Sequence, residues 1–385
     1  MKVSINILYV LHSSSKYEGS SRSFLSSLEG LVKKGISPHV VLPMRSDMSI
    51  LEELDRLKVP YTIMKYLMPI YPKKTCLKDY ILYIPRFMQM LTYQYLTVLR
   101  LFRLIKRANF DLVHSNAGPL LCGYKASQLT KLPHVWHLRE YQDLDFNLNT
   151  TYALDSFRNW LRASNVYPIA ISQSVYRHFG LDGKARMIYN GVMSSLDAKI
   201  NYNKEKYFLF VGGLHENKGV RFLIEAFSLL LIKYPDQKLY IVGDTVNKTY
   251  KDYLISLVVK NSLEANIIFL GKRDDVLLLM SNAKAIIVPS VSEAFGRITA
   301  EAMFKGCLVI GNNSGGTKEI LEDNDLGVLY NGENELLGVL ENVVENGTEY
   351  YYDKIQRAAQ YAVDMYSQEQ NVDSIYCYYQ DILNG

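Results

Sequence analysis

The sequence predicts an α/β protein built as two doubly wound domains, and three observations carry that expectation. Short runs rich in β-branched and aromatic residues alternate with longer helical patterns along the whole chain, the rhythm of βα units on a parallel sheet. The alternation restarts midway with a fresh strand, glycine turn and helix. At 385 residues, the chain is longer than one hydrophobic core usually serves.

In the first half the expected strands are "INILYVL", "HVVLP", "DLVHS", "HVWHL", "YPIAIS" and "RMIYN". In the second they are "YFLFVGG", "KLYIVG", "NIIFLG", "AIIVPS" and "CLVIGN". A polar passage over residues 193–205, "MSSLDAKINYNKE", marks the joint. The expected domains are therefore 1–195 and 196–363, with a last helix over 364–385 returning to the first domain; "SQEQNVDSIYCYYQDIL" has the apolar periodicity for that role.

Composition narrows the class. An apolar share of 48% suits a globular protein. Cys76, Cys122, Cys307 and Cys377 are scattered without a C-x-x-C pair, which argues against a disulfide framework or a zinc site and fits a reducing cytoplasm. The first apolar run is interrupted by Asn6, so a buried strand is expected there rather than a signal peptide. No window approaches the roughly 18 to 20 apolar residues of a spanning helix. The net charge of +4 conceals an asymmetry: residues 1–195 carry 25 Lys and Arg against 13 Asp and Glu, a net +12, and the remainder carries 18 against 26, a net −8. An anionic partner for the first half is the implication.

One stretch breaks the βα rhythm. From Tyr80 to Phe110 there is no acidic residue, while aromatics, Met and Leu alternate with Arg86, Arg100, Arg103, Lys106 and Arg107. It reads either as a buried helix with a basic solvent end or as an amphipathic stretch that touches a membrane or a lipid-linked substrate. Pro85 is expected to start or break such a helix.

Three strand ends run into small or polar residues just before a helix: "VGG" at 211–213, "VGD" at 242–244 and "VPS" at 288–290. In a parallel sheet, ligands gather outside the carboxyl ends of the strands. The segment "FVGGLHENKG" brings Lys218 to a glycine turn, lacks the Walker spacing, and suits a point charge on a phosphate. "SEAFGRITAEA", residues 292–302, sets Glu293 and Glu301 eight positions apart across a strand-to-helix turn. Backbone N–H groups of Gly296, Arg297, Ile298 and Thr299 would face an anion there. A wholly helical interval would separate the two carboxylates by about 12 Å, wider than the roughly 5 to 9.5 Å of a glycosidase pair. Two carboxylates holding the ends of one extended ligand, with phosphates between, describe a nucleotide-sugar clamp.

The motifs "VGGLHENKG", "YIVGD", "IIFLGKRDDV", "AIIVPSVSEAFGRITAEAM" and "NNSGGTKEI" resemble, in order and spacing, the C-terminal domain of retaining nucleotide-sugar glycosyltransferases of the GT-B architecture, glycosyltransferase family 4 (glycosyl transferases group 1). Matches in the first half, "ILYVLHSSSKYEGSSRSF", "DLVHSN", "WHLRE", "IAISQSV" and "IYNGV", extend the resemblance over nearly the whole chain. It implies two Rossmann-like domains facing across a cleft, acceptor on the first and donor on the second. It further implies that Glu293 contacts donor-sugar hydroxyls, Glu301 the ribose hydroxyls, Gly296 to Thr299 the sugar and diphosphate, and Lys218 the phosphate charge. Gly19 and Ser20 would close the other side of the diphosphate, and His137 would line the active site, with Arg139 and Glu140 as further acceptor-side candidates. Gly212, Gly213, Gly243, Lys272 and Phe295 complete the candidate donor-binding set.

The implied reaction is hexosyl transfer (EC 2.4 class) to an acceptor hydroxyl with retention, by front-face attack, with Glu293, Lys218 and His137 nearest the chemistry and no metal or other cofactor. Asp143 and Asp145 form only an incidental "DLD". Partners would be a nucleotide sugar and a glycan or lipid-linked acceptor, with an anionic membrane surface at the basic domain and no nucleic acid; the setting would be surface-polysaccharide or lipid-linked glycan synthesis, cytoplasmic or peripheral at the inner membrane face. Two departures stand out. Gly213 replaces a customary basic residue, leaving Arg297, Arg139 or Arg22 to substitute, and "EGS" puts Ser20 where a glycine pair is usual, which would impose a backbone geometry that glycine accepts more freely. An epimerase of the same fold and a non-catalytic nucleotide-sugar binding protein are the alternatives.

Overall fold

The computed structural model describes residues 4–72, 77–143, 148–245, 247–322 and 325–385; Cys76 and Asp145 lie outside them. The chain forms two compact units, residues 1–191 with 368–385, and residues 192–367. The breaks differ from the expected 195 and 363 by four residues each, because "GV" at 191–192 and "YS" at 366–367 pair with one another: Val192 N–H donates to Tyr366 O at 2.8 Å, and Met193 bridges Ser367.

The first unit holds strands β1 (Ile5–Val10), β2 (Ile36–Pro43), β3 (Tyr61–Met64), β4 (Ile70–Pro72), β5 (Leu112–Ser115), β6 (His134–Leu138), β7 (Leu148–Thr150), β8 (Val166–Ala170) and β9 (Arg186–Met187). Seven of them make a parallel sheet in the order β3-β2-β1-β5-β6-β8-β9, and β4 pairs antiparallel with β7. Strand order reverses between β1 and β5, so the carboxyl ends of those two strands flank the switch point. Ile7, Leu8, Val10, Leu112 and Val113 are fully buried, the continuous apolar run of a central parallel strand covered on both faces. The edge strands β3, β4 and β7 are short and carried no strong sequence signal.

Two helices cover this sheet's faces in ways that matter for function. The helix Gln368–Asn384 buries Val372, Ile375, Tyr378, Tyr379 and Ile382 against Phe24, Leu28 and Leu31 of the helix Gly19–Lys33. The approach is close: a Cβ on Gly30 would lie 2.5 Å from Val372 Cγ2. On the opposite face, the helix Leu77–Arg107 seats Val98, Leu101 and Ile105 against Leu8, Val10 and Val41. Pro85 neither starts nor breaks that helix but sits inside it. The apolar and packing positions that follow, from Met90 to Ile105, anchor the remaining turns, so the helix absorbs the loss of one backbone donor.

The second unit is a six-stranded parallel sheet in the order β12-β11-β10-β13-β14-β15, made of β10 (Tyr207–Val211), β11 (Lys238–Val242), β12 (Ile267–Gly271), β13 (Ala285–Val288), β14 (Leu308–Asn312) and β15 (Val328–Tyr330). Its switch point lies between β10 and β13. Phe208, Phe210, Leu239, Ile241, Ile287 and Ile310 form its core with Leu223 and Phe227 of the helix Val220–Lys233. The expected fold class, two Rossmann-like sheets, is what the chain adopts.

Candidate functional site

In the second unit the sequence-predicted residues converge at the carboxyl ends of β10, β11 and β13. Gly212 N–H donates to Val242 O at 3.0 Å and Leu214 N–H to Asp244 O at 3.1 Å, so the turns after β10 and β11 are zipped together. The approach requires glycine at 243: its φ is +137°, and a Cβ there would stand 1.8 Å from Gly212 O. Gly213 is less constrained: a Cβ would meet the ring of the exposed His215 at 2.9 Å, a contact that a turn of that side chain relieves. Lys272 follows β12 on an exposed position; its charge helps hold the Asp244 carboxyl below its ordinary range, after the larger effect of the Lys251 ion pair at 2.9 Å.

The Lys218 turn is clamped to the end of β13. Gly219, at φ +69°, closes the short 3-10 turn Glu216–Lys218, and Val291 N–H donates to Asn217 O at 3.0 Å. Lys218 Nζ thereby reaches Glu293 Oε1 at 2.6 Å, and Ser290 Oγ donates to the same oxygen at 3.1 Å. Both partners of the ion pair are about a fifth to a quarter exposed, accessible from solvent but partly shielded. Gly296, at φ +90°, starts the helix Arg297–Phe304 without any side-chain cap, so the positive end of the helix is left for an anion. Gly306, at φ +58°, stops it.

Two glycines to which sequence reasoning gave no role hold this loop in place. Gly316 N–H donates to Glu293 O at 2.6 Å, and a Cβ on Gly316 would come within 2.2 Å of the Phe295 carbonyl. Gly315 is equally tight against Glu293 backbone, at 2.7 Å. The signal was present in "NNSGGTKEI", but as a paired glycine at a helix start its packing partner could not be read. Phe295 is buried with its ring edge-on to Tyr366 at 5.6 Å. Thr299, fully buried, shares a hydroxyl contact with Thr317 at 3.0 Å, and Ile298 follows Arg297 in the first helical turn.

Glu301 is buried and its carboxylate accepts from Arg297 Nε at 2.9 Å. The second guanidinium nitrogen of Arg297 reaches Val192 O at 3.3 Å. Arg297, a candidate substitute for the basic residue absent at Gly213, pairs here with Glu301, because the i,i+4 spacing on one helix face brings the two together.

In the first unit, Gly19 and Ser20 are the first residues of a helix, and neither has a positive φ. The expected strained geometry at Ser20 is therefore absent: the turn is made before Glu18, and Ser20 needs only ordinary helical angles. Its hydroxyl contacts His12 Nε2 at 3.1 Å, and Asn116 Nδ2 donates to Ser20 O at 3.5 Å. Glu140 Oε1 accepts from Gly118 N–H at 2.9 Å, a tie between the loops after β5 and β6.

His137, on β6, is fully buried in a polar cluster that the sequence did not reveal. Its Nδ1 lies 3.3 Å from His114 Nε2 and 3.4 Å from an Arg139 guanidinium nitrogen. Arg139 is itself buried, donating to Asn116 Oδ1 at 2.8 Å and to Asn190 Oδ1 at 2.5 Å. His114 Nδ1 meets the Tyr379 hydroxyl at 2.6 Å, which meets the Tyr9 hydroxyl at 3.1 Å. Burial first, and the Arg139 charge second, push the imidazoles of His114 and His137 well below the usual histidine range, so both are neutral near pH 7. A cavity of about 10 Å³, the room one water needs, lies among Tyr9, His114, His137, Arg139 and Tyr379.

The comparisons agree with these motifs. The family described as "Glycosyl transferases group 1" matches residues 195–361, and "Glycosyltransferase Family 4" matches residues 17–195. The uncharacterized glycosyltransferase MJ1178 of Methanocaldococcus jannaschii is 31% identical over 253 residues, 63% of this chain and 68% of that protein. A second from the same organism, MJ1607, is 32% identical over 163 residues, which is 38% of this chain; this match spans 41% of MJ1607. Among solved structures, HepE of Anabaena in complex with UDP and glucose superposes with a TM-score of 0.76 at 20% identity, covering 98% of this chain and all of that one.

Proposed function

The chain belongs to the group 1, family 4 glycosyltransferases, and from that membership we propose that it transfers a hexosyl unit from a nucleoside diphosphate sugar to an acceptor hydroxyl with retention of configuration. One observation carries the reading furthest: the Lys218–Glu293 pair stands at the uncapped start of the helix Arg297–Phe304, at the switch point of the second sheet. Bond breaking builds negative charge on the departing diphosphate. A lysine and a helix N-terminus fixed beforehand stabilise that charge without reorganising. A bound diphosphate would draw Lys218 from Glu293 and free that carboxylate for sugar hydroxyls, while Glu301 serves the ribose. The leaving phosphate accepts the acceptor's proton. HepE, crystallised with UDP and glucose, supports a uridine nucleotide as the first donor to try.

This mechanism calls on no divalent ion, because Lys218 and the helix supply the positive charge. Turnover is therefore expected to survive EDTA, and its loss would overturn that part. A thermal-shift screen over nucleoside diphosphates and their sugars should give one base a clear rise in melting temperature, since a ligand of the native state raises apparent stability. The stereochemistry is read by NMR of the product's anomeric proton. Glu293→Ala should abolish most turnover with the preferred donor; unchanged turnover sinks the donor-sugar role.

The acceptor side is proposed to work at an anionic membrane surface, with a glycan or lipid-linked acceptor. On the helix Leu77–Arg107 the side chains of Ile81, Ile84, Met88, Leu91 and Tyr95 form an exposed apolar stripe. Arg86, Arg100, Arg103, Lys106 and Arg107 are exposed beside it. Apolar insertion flanked by cations suits anionic lipid. No helix among the described residues is long and apolar enough to cross a membrane. Replacing Arg100, Arg103, Lys106 and Arg107 with Gln should weaken sedimentation with phosphatidylglycerol vesicles; binding that persists rules the surface out.

A further inference from the structure

The polar cluster under His137 has a direction, and that direction fixes what His137 can do. A guanidinium has only donors. Arg139 approaches His137 Nδ1 at 3.4 Å, so that nitrogen is an acceptor. A neutral imidazole carries one proton. The proton of His137 is therefore on Nε2.

The same logic runs down the chain of contacts. His114 Nε2, 3.3 Å from an acceptor, is the protonated nitrogen of that ring. His114 Nδ1 then holds a lone pair and accepts from the Tyr379 hydroxyl at 2.6 Å. The Tyr379 oxygen in turn accepts from the Tyr9 hydroxyl at 3.1 Å. The hydroxyl and imidazole protons from Tyr9 through Tyr379 and His114 are thereby placed, each donated in the direction of His137. Both hydroxyls stay protonated, since burial raises Tyr379 and Tyr9 well above the ordinary tyrosine range.

At the end of the chain His137 Nε2 is buried and has no hydrogen-bond partner among the described residues. A buried donor left unpaired is uncommon and calls for a partner that the folded chain does not supply. We propose that His114 and Tyr379 are positioning residues that, with Arg139, lock His137 in the Nε2–H form, so that it offers a neutral hydrogen-bond donor to a ligand oxygen and cannot act as a general base. The oxygen would be a hydroxyl of the substrate; that last clause rests on the proposed glycosyl transfer, while the tautomer assignment does not. Tyr379 belongs to the helix Gln368–Asn384, so the C-terminal segment returning to the first unit sets the protonation state of a site residue.

The test is ¹⁵N NMR of the full chain labelled in its histidine rings. At pH 7 the wild type should show His137 and His114 each as a single tautomer, protonated at Nε2 and bare at Nδ1, with assignments from the signals lost in His137→Gln and His114→Gln. A proton on Nδ1 of either ring overturns the proposal. Tyr379→Phe removes only the hydroxyl and should release His114 into a mixture of tautomers, with kcat falling about tenfold or more and donor KM little changed, since a ring in the other tautomer presents a lone pair where a proton is needed. An unchanged His114 signature in Tyr379→Phe also overturns it. His114→Gln, whose amide can still donate to His137 Nδ1, and His114→Leu, in which the Arg139 guanidinium still donates to it, should both keep His137 in the Nε2–H form; a proton on His137 Nδ1 in either variant overturns the lock by Arg139. A locked tautomer in a protein that transfers no sugar from any nucleotide donor upholds the relay and removes the proposed function instead.

Discussion

The two units present their site residues in opposite electrical states. In the second, cations meet carboxylates, Lys218 with Glu293 and Arg297 with Glu301; solvent partly reaches Lys218, Glu293 and Arg297, while Glu301 is buried. In the first, the equivalent strand ends carry a buried hydrogen-bond chain of tyrosines and neutral histidines that reaches Arg139, whose guanidinium donates to Asn116 and Asn190. Charges that await a charged ligand gain from remaining near water, where each neutralises the other at modest cost. A neutral donor intended for a hydroxyl gains from burial, where an N–H without competing water holds its partner more strongly. Under the proposed function, the contrast would place anion handling in one unit and hydroxyl orientation in the other.

The largest expected effect tests how rigid the charged half must be. Gly243→Ala would force a Cβ to 1.8 Å from Gly212 O in a backbone region that L side chains rarely adopt. Neither atom can yield without opening the β10–β11 turns. We expect a loss of about 4 kcal/mol or more, read as the collapse of the second unit's urea transition with the first unit's amide protection retained. Loss of protection in both units alike would show that the two are not independent in stability.

Acid should strike the other half. His114, His134 and His137 all belong to the first unit, and burial pushes all three pKa values down, His134 to about 3. Their folded values lie below the unfolded value, so the unfolded chain binds more protons and stability is lost as pH falls below about 6.5. The slope is about 1.4 kcal/mol per pH unit for each histidine, or about 4 for the three. Hydrogen exchange followed from pH 7 to 5 should show the first unit opening before the second.

Lys218→Ala should lower kcat about 10²- to 10³-fold, the range for loss of one preorganised charge-stabilising group, while leaving the melting temperature nearly unchanged, because the ion pair it breaks is partly exposed. A large drop in melting temperature would instead make Lys218 a structural strut of the loop.

How much of this was legible follows the same division. The charged half is local in sequence: Glu293, Gly296, Arg297 and Glu301 lie within one strand-loop-helix unit, so spacing alone brings them to one place. Lys218 needed only the rule that neighbouring strands share a carboxyl edge. What stayed hidden was packing, as with Gly315 and Gly316, whose partner is another loop. The buried chain draws on residues 9, 114, 137, 139 and 379, and no periodicity links a tyrosine near the C-terminus to a histidine on β5. His137 could be named, but the neighbours that fix its proton could not. Pro85 and Ser20 misled for a simpler reason: a residue's preference was read without the packing that overrides it.

The smallest effect concerns how the last helix is held over that hidden chain. Asn371 is buried, with Ser27 Oγ donating to its Oδ1 at 2.6 Å and its own Nδ2 donating to Tyr189 O at 2.6 Å. Asn371→Ala removes both bonds, while the Ser27 hydroxyl keeps Ser23 O at 2.9 Å, so the loss should be about 1 kcal/mol. Tyr379 lies two turns further along the same helix, so a loosened first turn should pass some of its freedom to the hydroxyl that faces His114. The variant should therefore melt slightly lower and also broaden the His114 ring signals. A stability loss with those signals still sharp would show that the apolar contacts of Ile375, Tyr378 and Ile382 alone keep Tyr379 in register.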